Sequence, residues 1–269
     1  MVFTKLHGLG NDFLLFDLRE QPSAQAMTPA RAIELCDRHR GVGADGVLTL
    51  LAPLGSAGAT RMVVHNSDGS RPEMCGNGAR CVALYLATGG CTRPAHEVQI
   101  LLHTDAGPRP CLVNAPEPQL GEVSIEMGRP VIESVRSLPL GQRRAAAIPV
   151  SMGNPHRVIF MEGEPVEELA RALGPGLCRA ENANIEFASR TGPRRFRAAV
   201  WERGAGFTQA CGTGACAVAA AAVFRGDAQK GEELTIDLPG GPLALTLDRE
   251  SGQMLMRGPA QLVFRGELG

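Results

Sequence analysis

The sequence predicts a mixed α/β (α+β) fold of two pseudo-symmetric halves, each a mostly antiparallel sheet wrapped around a central apolar helix. One observation is a repeat: MCGNGARCVALYLATGG (74–90) returns as ACGTGACAVAAAAVFRG (210–226). A second is that short β-rich runs outnumber helical patterns along the chain. A third is that the run after each repeated cysteine is apolar nearly all round. Such a helix must be buried, and a surrounding sheet is its natural enclosure.

The individual elements follow from local signals. Thr28 and Pro29 supply an N-cap and a first helical residue for a helix that we expect to end at Gly41. A second short helix, PVEELARALG from Pro165, is also expected to stop at its glycine. Turn clusters at 108–110 and 239–242 separate strands. The predicted strands are FLLFDL, GVLTLL, RMVVHN, EVQILL, EVSIEM, HRVIFM, RFRAAVW, ELTIDL and LALTLD.

The repeat extends beyond the two cysteine motifs. VVHNSDGSRPEMCGNGA (63–79) aligns without a gap to AVWERGAGFTQACGTGA (199–215), and LGNDFLLF around Asn11 resembles MGNPHRVIF around Asn154. Three matches in the same order indicate two related half-molecules. We expect an N-terminal half at 1–125 and a C-terminal half at 126–269, from which the last strand could cross back to the first half.

Composition excludes several classes of function. The 269 residues carry 27 basic and 28 acidic side chains, and this balance gives no electrostatic footprint for nucleic acid or an anionic membrane. One Trp and one Tyr leave little on which bases could stack. The opening MVFTKLHGLGNDF lacks the basic-then-apolar pattern of a signal peptide, and no uncharged run approaches the ~18 residues of a membrane span. We therefore predict a cytoplasmic protein.

The cysteines form neither a disulfide framework nor a metal site. Eight cysteines in a chain of this length do not suggest the disulfide scaffold of small secreted domains. No C-x-x-C occurs, and the spacings are poor for zinc, so we predict no metal. Cys75 and Cys211 stand apart because glycines surround them and a predicted helix follows.

A glycine-rich turn that opens a helix leaves backbone N–H groups pointing outward. Together with the helix dipole, these groups bind anions and lower the pKa of a thiol at the same terminus. Two such helix starts facing across a cleft would present two sulfurs to one small ligand. One sulfur could take a proton from a carbon while the other delivers a proton to the opposite face. The amides would hold the adjacent carboxylate. This chemistry inverts an amino acid α-carbon without a cofactor, and no dinucleotide fingerprint is present.

Five segments resemble the diaminopimelate epimerase family, over essentially the whole chain and in the expected order. They are KLHGLGNDF (5–13), NSDGSRPEMCGNGARC (66–81), SMGNPH (151–156), NANIEF (182–187) and WERGAGFTQACGTGAC (201–216). The resemblance implies two α/β halves with the active site between them. It also implies interconversion of LL- and meso-diaminopimelate for lysine and peptidoglycan synthesis, without pyridoxal phosphate, by a homodimer.

The resemblance also assigns roles to residues. Cys75 and Cys211 match the two bases, and His156 matches an active-site histidine near the thiols. The turns that hold the reacting carboxylate match Gly76, Asn77, Gly212 and Thr213. The residues that fix the substrate, notably its distal amino acid end, match Asn11, Asn66, Asn154, Asn184, Glu202 and Arg203. Arg203 can bind a carboxylate through two parallel hydrogen bonds, and Glu202 and the asparagine oxygens can accept from an ammonium group.

Three positions depart from the family pattern. Gly46 stands where some members have a substrate-binding glutamine, Phe207 replaces a common glutamate, and Arg71 stands where an acidic residue is frequent. These departures concern local substrate contacts, because none touches the two thiols or Arg203.

Two other functions stay open on the residues alone. A proline or hydroxyproline racemase uses related paired cysteines, although its first motif typically carries histidine where Asn77 stands here. A thiol redox or thiol-binding protein would need a resolving cysteine, and Cys81 and Cys216 are the candidates. Both follow the reactive positions inside apolar helices, so we expect their side chains to face the core.

Overall fold

Two units make up the protein in a computed structural model that describes residues 1–20, 27–53 and 59–269. Unit 1 comprises Met1–Ile125 and Gly258–Gly269, and unit 2 comprises Glu126–Arg257. The chain therefore leaves unit 1 once and returns to it at its end.

Unit 1 is a sheet that surrounds one long helix. Its helices are α1 (Pro29–Cys36) and α2 (Gly76–Ala87), and its strands are β1 (Val2–Gly8), β2 (Asn11–Asp17), β3 (Gly46–Leu51), β4 (Thr60–Asn66), β5 (Ala95–Thr104), β6 (Gly107–Glu117) and β7 (Leu120–Glu126). The final strand of the chain, β17 (Met254–Glu267), pairs with both β1 and β7 and so joins the two ends of this series. Helix α2 packs against β1, β2, β4, β5 and β6.

Unit 2 repeats this design. Its helices are α3 (Val166–Glu181) and α4 (Gly212–Arg225), and its strands are β8 (Val131–Ile132), β9 (Arg136–Leu140), β10 (Arg143–Ser151), β11 (Pro155–Phe160), β12 (Asn184–Gly192), β13 (Arg195–Glu202), β14 (Gly206–Phe207), β15 (Glu233–Leu238) and β16 (Gly241–Leu247), completed by the start of β17. Helix α4 packs against β10, β11, β12, β13, β15 and β16.

The strands of the two units pair in the same order. In unit 1, β1–β2 is antiparallel, β2–β3 parallel, β3–β4 antiparallel, β4–β5 parallel, and β5–β6 and β6–β7 antiparallel. In unit 2, the series β10, β11, β12, β13, β15, β16 and β17 has the same alternation. The predicted pair of pseudo-symmetric, mostly antiparallel halves is confirmed by this match.

The two central helices are buried, as their composition predicts. Ten residues of α2 and ten of α4 are buried, and α4 is buried continuously from Gly214 to Ala222. Cys81 and Cys216 have no exposed surface, which confirms that they face the core. Helix α2 also buries one charged side chain that its apolar composition did not lead us to expect, Arg80, whose exposed fraction is 0%.

Helix α3 extends well beyond the predicted stop at a glycine. It continues through Gly174, Pro175 and Gly176 to Glu181, so this prediction was wrong. The continuation buries Leu177 and Cys178 in the core of unit 2. Gly174 is helical because the helix lies directly on Trp201, where an added Cβ would approach the Trp201 Cβ at 2.5 Å. Packing at this point outweighs the weak helix propensity of glycine.

Two other local predictions were wrong. Helix α1 ends at Cys36, before the predicted stop at Gly41, because the Asp37 carboxylate accepts hydrogen bonds from the backbone N–H groups of His39 and Arg40 and turns the chain. The expected turn at 108–110 is instead the start of β6, and the turn lies just before it. Pro108 and Pro110 pair opposite His103 and Leu101 of β5. Proline is tolerated in a strand where its missing N–H is not needed by the ladder.

Two further features concern the chain as a whole. Among the described residues, none of the eight cysteines is in a disulfide. Within the same ranges, no helix is both long enough and apolar enough to cross a membrane.

Candidate active site

Cys75 is the N-cap of helix α2. Its backbone is extended (φ −135°), and its Sγ accepts a hydrogen bond from the N–H of Gly78 at 3.4 Å. The side chain is half-buried, so it lies at the boundary between the core and the surface. The glycine-headed helix start predicted from the sequence is therefore present, with the sulfur directed at the first helical turn.

Asn77, one residue into α2, is fixed by two neighbouring side chains. Its Nδ2 donates to Oδ1 of Asn11 at 2.9 Å, and its Oδ1 accepts from Nη2 of Arg80 at 2.9 Å. Asn11 in turn donates to Oδ2 of Asp45 at 2.8 Å. The structure thus brings together the predicted residues Asn11 and Asn77 beside Cys75 and holds them through two charged residues.

A cluster of charged side chains lies beside Asn11. Asp12 contacts Nζ of Lys5 at 2.5 Å and Nη2 of Arg38 at 2.6 Å, and Arg38 also contacts Asp45 at 2.9 Å. Burial alone would raise the pKa of Asp12, but the hydrogen bonds from Arg38 and Lys5 outweigh it and lower this pKa to about 2. The cluster is therefore charged at neutral pH and anchors the hairpin that carries Asn11.

Asn66 ends strand β4 in unit 1. It lies opposite Gly46 of β3, and its Nδ2 donates to Oγ of Ser70 at 2.9 Å. The side chain is partly exposed. Asn66 is held by the turn that follows it and not by the chain of contacts that links Asn11 to Asn77.

Cys211 is the N-cap of helix α4 in unit 2. Its backbone is also extended (φ −123°), and its Sγ accepts from the N–H of Gly214 at 3.4 Å, the same contact that Cys75 makes. Its Sγ also lies 3.5 Å from Oγ1 of Thr213. Burial raises the pKa of Cys211 well above its usual value, and the nearby Glu202 carboxylate raises it further.

Glu202 ends strand β13 and carries an enclosed carboxyl group. Burial raises its pKa, partly offset by hydrogen bonds from Thr208 and Cys211. The Thr208 hydroxyl donates to Oε1 at 2.5 Å. Glu202 therefore contacts the thiol that the sequence assigns as a base, in addition to any part it takes in holding substrate.

His156 lies fully buried at the start of β11 and joins two other predicted residues. Its Nε2 lies 3.0 Å from Oδ1 of Asn154, and Nδ2 of Asn154 donates to Oγ1 of Thr213 at 3.4 Å. On its other side, Nδ1 of His156 lies 2.6 Å from Oε1 of Glu186, which is also fully buried. A continuous series of polar contacts thus reaches from Glu186 to Cys211.

Asn184 and Arg203 form a second group in unit 2. The backbone N–H of Arg203 donates to Oδ1 of the buried Asn184 at 2.8 Å, and its Nη1 donates to Oδ1 of Asn182 at 3.1 Å. The Arg203 side chain borders a surface cavity of about 490 Å³ whose walls include Trp201 and Arg179. Its guanidinium group therefore has one amide partner and an open side.

Sequence reasoning missed four residues that the structure places in these groups. Asp45 contacts Asn11 and Arg80 contacts Asn77 in unit 1. In unit 2, Thr208 contacts Glu202 and Glu186 contacts His156. Only Glu186 carries a signal in the sequence, because it is the single charged residue in an apolar run between Ile185 and Phe187. Within residues 1–20, 27–53 and 59–269, no three His, Cys, Asp or Glu side chains are grouped to hold a metal ion.

Comparison with known proteins identifies the family. The family model described as "Diaminopimelate epimerase" matches residues 3–133 and 148–263. The chain belongs to the diaminopimelate epimerase family. Curated relatives with that name include one from Synechocystis, 41% identical and covering 98% of both chains. Another, from Synechococcus (strain JA-3-3Ab), is 44% identical and covers 98% of this chain and 96% of its own. The resemblance inferred from the five segments is confirmed.

Solved structures share the family's architecture at low sequence identity. A probable proline racemase from Agrobacterium radiobacter superposes with a TM-score of 0.78 at 15% identity, covering all of this chain and 92% of its own. A hydroxyproline epimerase from Agrobacterium vitis gives 0.76 at 15% identity, covering all of this chain and 90% of its own. At this identity the likeness concerns the fold alone.

The three departures from the diaminopimelate epimerase pattern make contacts of their own. Phe207 lies under Arg171, whose Cζ is 3.6 Å from the ring centroid. Arg71 forms an ion pair with Asp105 at 2.7 Å. Gly46 lies opposite Asn66 between β3 and β4. The first two side chains therefore have local structural partners.

Proposed function

We propose that this protein is a cofactor-independent epimerase that interconverts LL- and meso-2,6-diaminopimelate through two cysteine bases, Cys75 and Cys211. Family membership supports the substrate and the reaction. The observation that carries the mechanism is the matched setting of the two cysteines. Each caps the central helix of its unit. Each sulfur accepts a hydrogen bond, 3.4 Å long, from the backbone N–H of the residue three positions later in the sequence.

In this mechanism a thiolate removes the α-proton, and the C–H electron pair moves toward the α-carboxylate. The other thiol then gives its proton to the opposite face of the carbon, so that the configuration inverts. The N–H groups at Gly76, Asn77, Gly212 and Thr213 are suited to hold the carboxylate and to stabilise the charge that develops on it.

Cys211 is proposed to begin as a thiol. Its raised pKa favours that form, because burial and the Glu202 carboxylate both disfavour a second negative charge. We therefore assign Cys211 as the proton donor when the resting protein meets its first substrate, and the two-base mechanism then leaves removal of the α-proton to Cys75. After each turnover the roles are exchanged, and the reverse reaction begins from the exchanged state.

The remaining predicted residues are proposed to select and position the substrate. Arg203, with its open guanidinium face, suits the distal carboxylate, and asparagine oxygens suit the distal ammonium group. The side chains assigned here are Asn11, Asn66, Asn154, Asn184 and Glu202, with His156 supporting Asn154. We further propose that the enzyme acts as a homodimer in the cytoplasm, in the synthesis of lysine and peptidoglycan precursors.

Deuterium labelling tests the two-base mechanism. With LL-diaminopimelate in D₂O, we expect deuterium at the inverted α-carbon of the product while recovered substrate initially stays unlabelled. The reason is that each sulfur carries its own proton and the site is shielded from water during transfer. Equal labelling of substrate and product from the earliest times would overturn the two-base assignment, because it would indicate a single exchanging base.

Substitution of the cysteines tests their identity. Cys75→Ser and Cys211→Ser should each lower the rate of epimerisation by at least about 100-fold, the lower range for loss of a general acid or base. Cys91→Ala is the matched control, because Cys91 is a buried cysteine outside the two helix starts, and its loss should leave kcat within about threefold. Full activity in either serine variant would contradict the assignment.

A further inference from the structure

Five polar groups lie in series in unit 2 and end at a reactive sulfur. The series runs from Oε1 of Glu186 to Nδ1 of His156 (2.6 Å), from Nε2 of His156 to Oδ1 of Asn154 (3.0 Å), and from Nδ2 of Asn154 to Oγ1 of Thr213 (3.4 Å). The last step, from Oγ1 of Thr213 to Sγ of Cys211, is 3.5 Å. Only the contact between Asn154 and Thr213 has a fixed donor, so the direction of the other contacts has to be inferred from the atoms that cannot donate.

The direction follows from the atoms that cannot donate. Oδ1 of Asn154 is an acceptor only, so Nε2 of His156 carries the hydrogen in that contact. Nδ2 of Asn154 donates to Oγ1 of Thr213, which leaves the Thr213 hydroxyl hydrogen available to donate to Sγ of Cys211, above all when that sulfur is an anion. One proton lies between Nδ1 of His156 and Oε1 of Glu186, whichever of the two atoms holds it. From His156 to Cys211, each group therefore donates its hydrogen to the next group in the series.

Unit 1 has apolar residues at the corresponding positions. Phe13 pairs with Gly46 in the parallel β2–β3 ladder, as His156 pairs with Asn184 in β11–β12. Two residues further along β3 and β12 are Leu48 and Glu186. Leu48 lies against Gly78 and Glu186 lies against Gly214, and each glycine is the third residue after the cysteine of its unit. An added Cβ on Gly78 would meet Cδ2 of Leu48 at 2.8 Å, and one on Gly214 would meet Oε1 of Glu186 at 3.1 Å.

The fold itself therefore does not require a polar pair at this place. Burying Glu186 and His156 costs free energy that Leu48 and Phe13 do not incur, because polar groups leave water. One carboxylate oxygen of Glu186, Oε2, is buried with no hydrogen-bond partner in the part of the chain that the structure describes. Glu186 makes a side-chain hydrogen bond to His156, and its charge also acts directly on Cys211 by raising the pKa of that thiol. Any contribution to orientation therefore passes through His156.

We propose that Glu186 is a positioning residue of the epimerase, which keeps the hydrogen of His156 on Nε2 and so keeps the Thr213 hydroxyl directed at Cys211. The proposal rests on the assigned role of Cys211 as a base. When Cys211 has given its proton to substrate, the sulfur is an anion and receives hydrogen bonds from the Thr213 hydroxyl and the N–H of Gly214. Without Glu186, the His156 ring loses its fixed orientation, and the hydrogen of the Thr213 hydroxyl is no longer directed at Sγ of Cys211.

Two substitutions separate this role from the charge of the carboxylate. Glu186→Gln and Glu186→Leu both remove the carboxyl group, and in both the Glu202 carboxyl still faces Cys211. The Gln amide can donate to Nδ1 of His156 and so keep the hydrogen on Nε2, whereas Leu offers Nδ1 no partner. Leu also reproduces the residue type that unit 1 already buries at this position, which favours correct folding. The matched control is Glu164→Gln, which breaks an ion pair with Arg143 elsewhere in unit 2.

The first measurements need no substrate. In ¹⁵N-labelled protein, the His156 nitrogens should report hydrogen on Nε2 in the wild type and in Glu186→Gln, and a mixture of both forms in Glu186→Leu. Alkylation of Cys211 by iodoacetamide, located by peptide mass, should be about tenfold slower in Glu186→Leu than in Glu186→Gln at the same pH. This factor corresponds to the loss of one hydrogen bond to a charged group.

Kinetics complete the test. Glu186→Leu should have a kcat about tenfold below that of Glu186→Gln, with KM equal within about twofold, because Glu186 does not contact substrate. Identical His156 signals and identical alkylation rates in the two variants would overturn the inference. That outcome is distinguishable from failure of the proposed function, since in that case the wild-type protein itself would not epimerise diaminopimelate.

Discussion

At the scale of single residues, the proposed contact between Arg203 and the distal carboxylate of the substrate can be tested directly. Replacement by Ala would leave the distal carboxylate of diaminopimelate partly buried without its cation. We expect kcat/KM for LL-diaminopimelate to fall by roughly 30-fold to several-thousand-fold, equivalent to about 2–5 kcal/mol. Part of the loss should appear in kcat, because the α-carbon would be misplaced between the sulfurs.

The control for this experiment is Arg195→Ala, at the start of β13, the strand that ends just before Arg203. Arg195 has its own carboxylate partner, Asp237, at 2.7 Å and takes no part in the site. Its loss should leave kcat/KM unchanged within about twofold. If Arg203→Ala behaved like Arg195→Ala, recognition of the distal carboxylate would have to lie elsewhere.

Glu202 controls the thiol of Cys211 through its charge. Since a like charge raises the pKa of an acid, Glu202→Gln should lower the pKa of Cys211 toward its usual range. Burial is the larger cause of the shift and persists in the variant, so the pKa should stay above the usual value. Alkylation rates followed against pH would measure it. The control is Glu233→Gln, which removes a surface partner of Arg257. A Cys211 pKa that did not fall in Glu202→Gln would contradict this account.

The candidate site residues that the sequence predicts are those with chemistry of their own. Cysteines beside glycine turns and an arginine before the second turn can be interpreted without a structure. Residues that act through a neighbour are harder to find, because their meaning lies in contacts between distant segments. Arg80 reaches Asn77 and the carbonyl oxygen of Pro259 from inside a helix whose neighbours are apolar. Nothing in the local sequence identifies either partner.

At the scale of elements, helix α3 offers a matched pair of glycines. In Gly174→Ala the new Cβ would lie 2.5 Å from Cβ of Trp201, so the helix must shift from β13. We expect the free energy of unfolding to fall by about 1–3 kcal/mol, as for other overpacked cores. Gly176 has no atom within 4 Å of an added Cβ, and Gly176→Ala should instead stabilise the helix by about 0.5–1 kcal/mol.

Thermal or urea unfolding of the two variants would measure both effects. The change in the free energy of unfolding should have opposite signs in the two variants, although the substitution is the same and the positions lie two residues apart in one helix. Destabilisation by Gly176→Ala, or no change in Gly174→Ala, would mean that contact with Trp201 does not decide why this helix contains glycine.

Element prediction succeeded where local pattern and tertiary environment agree. The central helices, and runs such as GVLTLL (β3) and ELTIDL (β15), form as predicted. Prediction of the elements failed where packing against distant segments overrides a local signal. Glycine and proline in α3 lie inside a helix because Leu177 and Cys178 beyond them are buried, and the prolines of β6 lie in a strand because β5 pairs with it. Such outcomes depend on partners that are distant in sequence.

At the scale of the whole molecule, Asp12 links stability to pH. Its pKa in the folded protein is about 2, below the ordinary value of 3.8. Because the folded pKa is depressed, this stabilisation is fully present above about pH 4 and is lost as the pH falls toward 2. The group is partly solvated, so we expect a contribution on the order of 1–2 kcal/mol.

Urea unfolding of Asp12→Asn and wild type at several pH values would measure this contribution. The variant should be less stable at pH 7, and the gap should narrow as the pH falls below about 4. A gap that stays constant down to acid pH would show that Asp12 acts through hydrogen bonding and not through its charge.

The path of β17 has a consequence for synthesis on the ribosome. Strand β1 pairs with β17 from Val2 opposite Glu267 to His7 opposite Gln261, so β1 is made well before the strand that pairs with it. Unit 2, by contrast, is one continuous stretch. At about 5–20 residues per second, β1 stays without this neighbour for roughly 10–50 s. The second unit should therefore complete its fold first, and chaperones should meet the β1 edge of the nascent chain. Protease treatment of nascent chains stalled with residues up to 257 outside the tunnel should spare unit 2 and cut unit 1.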